Sequence, residues 1–176
     1  MKRLVATIGH SIVIGALTMA TLTAALTAQQ VPMPKYGVTV SAEKKVDFSK
    51  FTSYTWTLGQ PSFDKDVDRY VTDAVDRQLG ALGMSKAATA PGDVLVAYYS
   101  LRRTDVDLRA KPDAQGLHPQ YAVGTLMVAL LDPGTRKRLL RMRIDKPIEV
   151  QREALEPAIQ AAVTELFAKY PTRSGK

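Results

Sequence analysis

The chain has 176 residues, 45% of them hydrophobic and 23% charged, a balance that fits one globular domain and excludes a disordered or fibrous chain. It carries a formal net charge of +7 and no cysteine. The missing thiols exclude disulfides, thiolate metal sites and lipid attachment through an N-terminal cysteine.

Met1-Lys2-Arg3 is a short positive start, and residues 4 to 28 carry no formal charge and are rich in alanine, threonine, leucine and isoleucine. That is the pattern of a secretory signal peptide. Thr23-Ala24-Ala25 and Leu26-Thr27-Ala28 are the candidate cleavage sites. Cutting after Ala28 leaves a polar, proline-bearing linker over residues 29 to 35, and a product that is periplasmic or secreted. An uncharged run of this length also spans a bilayer, so an uncleaved N-terminal anchor is the alternative. Losing Lys2 and Arg3 with the segment lowers the basic count from 24 to 22, against 17 acidic residues.

A single domain over residues 36 to 171 follows, with residues 172 to 176 as a frayed tail. Tyr36 to Val40 reads as a first short strand, and Phe51 to Trp56, aromatic and β-branched throughout, as a second. Its alternation places Thr52, Tyr54 and Trp56 together, and Trp56, the single tryptophan, reads as a core anchor. Val67, Tyr70, Val71, Ala74, Val75, Leu79 and Leu82 recur at helical spacing, which predicts a helix over residues 64 to 82. Asp64, Asp66 and Asp68 complement its dipole and Gly83 stops it.

Asp93 to Leu101 is a third strand. Residues 104 to 122, with two prolines and no sustained period, read as a long loop and as the first place to look for a site. Gly124 to Ile144 is a hairpin closed over Asp132-Pro133-Gly134-Thr135, in which proline presets φ and glycine tolerates the positive φ that often follows. Its first strand is almost continuously apolar. Its return strand alternates, with Leu140, Met142 and Ile144 pointing one way and Arg141, Arg143 and Asp145 the other. A second helix begins between Glu153 and Glu156, where Pro157 falls in the first turn, and stops at Pro171. The order β-β-α-β-β-β-α predicts an α+β two-layer sandwich, a mostly antiparallel sheet of about five strands with both helices on one face. Strand order is not readable.

Several motifs occur in a fixed order: Asp47-Phe48-Ser49-Lys50-Phe51-Thr52-Ser53-Tyr54-Thr55-Trp56, Gly92-Asp93-Val94-Leu95-Val96, Gly124-Thr125-Leu126 and Tyr170-Pro171. Together they resemble the bacterial "domain of unknown function 4136" family, over about Tyr36 to Pro171. The resemblance implies an exported protein of the cell envelope, many family members being lipoproteins, and it implies no established activity or catalytic residues. Two departures stand out. The lipobox cysteine of many members is absent, and Leu140-Arg141-Met142-Arg143 replaces the tryptophan and basic residue that members tend to carry on the return strand.

Chemistry is sparse. Downstream of the export segment the one histidine is His118, in the long loop, and there is no Gly-x-Ser-x-Gly elbow, Walker motif, dinucleotide glycine pattern or calcium-loop spacing. No catalytic residue, metal or cofactor is therefore expected. Arg102, Arg103, Arg136, Lys137, Arg138, Arg141 and Arg143 fall on neighbouring strand ends and on the hairpin, a candidate basic face for phosphate or carboxylate groups. The bland reading is a solvated sheet face. The expectation is a non-enzymatic binding or assembly module for an anionic envelope component or another envelope protein, acting through this face and the loop at 104 to 122. Nucleic acid is not an expected partner, and a membrane is one only if the N-terminal segment is retained. A hydrolase of an envelope polymer is the alternative, because paired carboxylates need no sequence motif.

Overall fold

The computed structural model describes residues 36–148 and 151–172. The export segment, the linker and the tail from residue 173 lie outside the described residues. The strands are β1 (Gly37–Ala42), β2 (Ser53–Trp56), β3 (Ser85–Lys86), β4 (Val94–Val106), β5 (Gln120–Leu131) and β6 (Arg138–Pro147), and the helices are α1 (Lys65–Ala81) and α2 (Leu155–Phe167). They form one six-stranded sheet in the order β1-β6-β5-β4-β2-β3. The expected α+β architecture holds, with two differences. Two-residue β3 is an added edge strand, and β2 pairs in parallel with both β3 and β4, so the sheet is mixed.

Strand alternation sets the two faces. Val94, Val96 and Tyr98 of β4, Val128 and Leu130 of β5, and Leu140, Met142 and Ile144 of β6 share one side. On that side they join Val71, Ala74, Val75 and Leu79 of α1 and Val163, Leu166 and Phe167 of α2 in a single core. Each of the larger aliphatic and aromatic side chains, fully buried, contributes about 1.5–3 kcal/mol by transfer from water. Tyr170 closes the core past the end of α2, stacked on Phe167 and edge-on to Phe48. Burial pushes its phenol up to about 12.

Helix α1 begins and ends as its sequence predicts. The Asp64 carboxylate accepts from the backbone N–H groups of Asp66 and Val67, which satisfies two donors of the first turn. At the other end Gly83, with φ of +86°, donates to the Gly80 carbonyl while Met84 donates to Leu79, the double bond of a Schellman stop. Carboxylates further along tie the helix to the sheet. Tyr98 donates its hydroxyl to Asp68, and the Tyr54 hydroxyl and Trp56 Nε1 both donate to Asp76 Oδ1 at 2.8 Å. Trp56 thus stays half-buried, an anchor through its N–H as well as its ring.

Two of the recurring motifs meet in space. Asp93 accepts from the backbone N–H groups of Thr52 and Ser53 at 2.8 and 2.9 Å, and its own N–H donates to the Ser53 hydroxyl. These bonds hold its carboxyl below the usual range.

The turns depart from expectation. The hairpin loop does contain Asp132-Pro133-Gly134-Thr135, yet the residue at positive φ is Arg136, at 60°, not Gly134. Arg136 N–H donates to the Asp132 carbonyl and Asp132 N–H to that of Lys137, so the chain reverses in a wider turn. The Asp132 carboxylate organises it by accepting from the N–H and the hydroxyl of Thr135. Leu130 pairs with Leu140 and Leu131 with Arg138, leaving Leu139 as a bulge. The long loop is shorter than its composition suggests: β4 runs on to Val106 and β5 starts at Gln120. Arg103-Thr104-Asp105-Val106 keeps a strand period in which charge replaces apolar residues, and pairing with β5 extends it.

Replacing Asp76 by alanine leaves the donors of buried Tyr54 and half-buried Trp56 without their acceptor. We expect a loss of about 1–3 kcal/mol in urea unfolding, with an unchanged slope.

Candidate functional site

The sheet face turned away from the helices carries a chain of polar contacts centred on Asp145, which is only 6% exposed. In the β6 register Asp145 lies opposite Thr125 of β5 and Gly37 of β1. Its carboxylate accepts from Thr125 Oγ1 at 2.5 Å, Arg103 Nη1 at 3.0 Å, and both Nε and Nη2 of Arg143 at 2.8 Å. Arg103 turns its remaining donors to Asp105, Nε to Oδ1 at 2.9 Å and Nη2 to Oδ2 at 3.3 Å. Asp105 in turn accepts from the Tyr36 hydroxyl, which also bonds the Tyr121 hydroxyl.

Burial pushes the Asp145 carboxyl up, but the donors of Arg143, Thr125 and Arg103 outweigh it and hold the group at about 2. Asp105 and then Asp145 raise the Arg103 guanidinium above its ordinary range, and Asp145 does the same for Arg143. Two arginines and two aspartates make the cluster neutral, so Arg103 and Arg143 add little to the field of this face.

The seven basic residues therefore do not form one patch. Arg103, Arg138, Arg141 and Arg143 lie on the face away from the helices, and Arg102, adjacent to Arg103 in the strand, points to the helix side. Arg136 and Lys137 sit at the hairpin loop, bonded to the Thr57 hydroxyl and to Glu43. Arg138 and Arg141 are exposed and have no ion-pair partner among the described residues. The cationic surface contracts to the hairpin end: Arg136, Lys137, Arg138 and Arg141.

The loop between β4 and β5 is braced by its own carboxylates. Asp107 accepts from the N–H groups of Arg109 and Ala110, and Asp113 from those of Gln115 and Leu117. His118 Nδ1 donates to the Ala110 carbonyl at 2.8 Å, so the histidine closes the loop. Leu108 and Leu117 project from it, exposed.

The structure adds a feature that periodicity did not reveal. A cavity of about 610 Å³ opens between the first halves of α1 and α2, over a floor of β4, β5 and β6. Val67, Val71, Leu126, Ile144, Leu155 and Ile159 give it apolar walls. One row of the floor is Arg102, Gly124 and Lys146, paired across three strands. A Cβ on Gly124 would approach Ile148 Cδ1 to 2.8 Å, so the glycine makes room for that side chain. Among the described lining residues Asp64 is the one carboxylate, and it is engaged as the α1 cap. The sequence signal for this groove was Arg102 itself, which strand alternation puts on the opposite side from Arg103.

Among the described residues no three His, Cys, Asp or Glu side chains are placed to hold a metal ion, and no helix is long and apolar enough to cross a membrane.

Fold and faces define an α+β sandwich with a charged sheet face on one side and an apolar groove under its helices on the other. The chain belongs to the family described as domain of unknown function DUF4136, whose model matches residues 38–172. Solved structures with a similar fold include a PDZ domain protein from Parabacteroides distasonis, at TM-score 0.55 and 12% identity. That match covers 77% of this chain, which spans 35% of the other. The PelC dodecamer from Paraburkholderia phytofirmans is similar at TM-score 0.51 and 10% identity, over 76% of this chain and 96% of that one. At these identities the likeness shows the fold alone. No curated protein matches the sequence.

The Asp145 cluster makes stability depend on acid. Its folded pKa of about 2 lies below the ordinary 3.8, so its contribution is fully present above pH ~4 and is lost as pH falls through about 2. Asp145→Asn should cost on the order of 2 kcal/mol in urea unfolding at pH 7. The gap to the unsubstituted protein should close progressively between pH 4 and pH 2; a gap independent of pH would deny the carboxylate this role.

Proposed function

We propose that this chain is an exported cell-envelope protein acting as a non-catalytic binding or assembly module. Its contact surface is the hairpin end of the open sheet face; the β4–β5 loop lies at the opposite end of β5, apart from that surface. The observation that supports this reading is the division of the arginines: Arg103 and Arg143 are consumed by Asp145, while Arg138 and Arg141 stay exposed and unpaired among the described residues. Guanidinium groups left in that state suit carboxylate or phosphate groups of an anionic envelope component, or an acidic surface of another envelope protein. Export rests on the charged start and uncharged run of residues 1 to 28, and on the envelope location that the family implies. Against a hydrolase stands the groove, where the single carboxylate among the described lining residues is already a helix cap.

The test is Arg138→Glu combined with Arg141→Glu, compared with the unchanged protein isolated from the envelope of its own host. Mass spectrometry of the denatured sample should show the loss of residues 1 to 28; a full-length chain would point to a retained anchor. Native mass spectrometry should show a bound component that the double variant releases, with affinity reduced about tenfold or more for two reversed charges. Retention of every component would overturn the assignment of this face. The same spectrum reads copy number, of interest because the PelC dodecamer shares the fold.

A further inference from the structure

We infer that the groove beneath the two helices is a second binding site, for a single-chain anionic amphiphile. It lies on the other side of the sheet from the surface proposed above and does not depend on it. The volume, about 610 Å³, falls within the roughly 300–1,000 Å³ of pockets that enclose small ligands. Its walls are those of an alkyl-chain site. Val71 and Leu126 belong to the core, and Leu155 and Ile159 come from the turn of α2 that faces α1 across the opening.

The polar end is equally defined. Arg102 and Lys146 flank Gly124 in one cross-strand row, which gives the floor two cations with the apolar Ile148 side chain packed over the glycine between them. Lys146 is paired with Glu165, whereas Arg102 is exposed and has no carboxylate partner among the described residues. With Asp64 held as the helix cap, an anionic headgroup at this row meets an unpaired guanidinium and the apolar chain runs between the helices. Phe63 supports the same class of ligand. It sits between the lining residues Ser62 and Asp64 with its ring fully exposed, an apolar contact beside the opening.

The probes are dodecyl phosphate and dodecylphosphocholine, which share one chain length and differ in net charge. Each is titrated calorimetrically below its micelle concentration into the protein as its host makes it. Dodecyl phosphate should bind saturably with one site per chain, and dodecylphosphocholine at least about tenfold more weakly, because its ammonium cancels the headgroup charge that the two floor cations face. Arg102→Gln should weaken dodecyl phosphate binding to a similar degree, and Ala158→Trp, placing a ring in the groove from an exposed helix position, should abolish it. Thermal unfolding of both variants confirms that they fold. Lys44→Glu, in the exposed turn after β1, should leave binding unchanged. Absence of saturable binding, equal affinity for the two probes, or binding that survives Ala158→Trp would each overturn the site.

Discussion

A sheet covered by helices on one side must close its other side with its own side chains, and in this protein the closure centres on Asp145. Removing a carboxylate from water costs several kcal/mol unless donors replace the lost solvent. Here four do: the Thr125 hydroxyl, one nitrogen of Arg103 and two of Arg143. Arginine suits the position because its planar fork presents two nitrogens to one carboxylate and keeps others free. Arg103 uses that surplus to reach Asp105, and through it Tyr36 and Tyr121 at the edge of the cluster. Lysine, a point charge, could not join two carboxylates in this geometry.

The neutrality of that cluster decides where the excess positive charge is felt. Clustered arginines look in sequence like one electrostatic surface, but charges that satisfy each other at contact distance project little field. Of the seven clustered basic residues, those left exposed without a carboxylate partner among the described residues are Arg136, Arg138 and Arg141 at the hairpin end and Arg102 at the groove. These two places differ in kind. The hairpin end is exposed and polar; the groove is concave and lined by apolar side chains.

Much of the fold was legible because each element announces itself locally. Helix α1 carries its apolar stripe, its acidic first turn and its terminal glycine within one stretch, and β6 alternates without exception from Leu140 to Asp145. Signals that depend on distant partners were not legible. Residues 103 to 106 are strand only because β5 pairs with them, and two-residue β3 exists only because Ser53 and Tyr54 offer an edge. Arg136, not Gly134, takes the positive φ because Asp132 binds Thr135 and widens the turn, a choice that turn propensities alone do not fix. The candidate site was half legible. Alternation alone separates Arg102 from Arg103, but the contact of Arg103 with Asp145 crosses three strands whose order the sequence does not state.

That separation also links the two faces. A shift of one residue in the pairing of a strand exchanges its faces, so slippage of β4 against β5 would bring Arg103 to the groove and Arg102 toward Asp145. The core resists this through Val94, Val96 and Tyr98, which would turn outward. On the open face the resistance comes from Asp145, whose carboxylate would lose a donor, and from Thr125 of β5, whose hydroxyl accepts from the same Arg103 nitrogen. Arg102 needs no contact of its own to be held at the groove; its position follows from the register that its neighbour enforces. The buried carboxylate therefore acts at a distance from anything it touches, closing one side of the sheet and fixing the cation that faces the other.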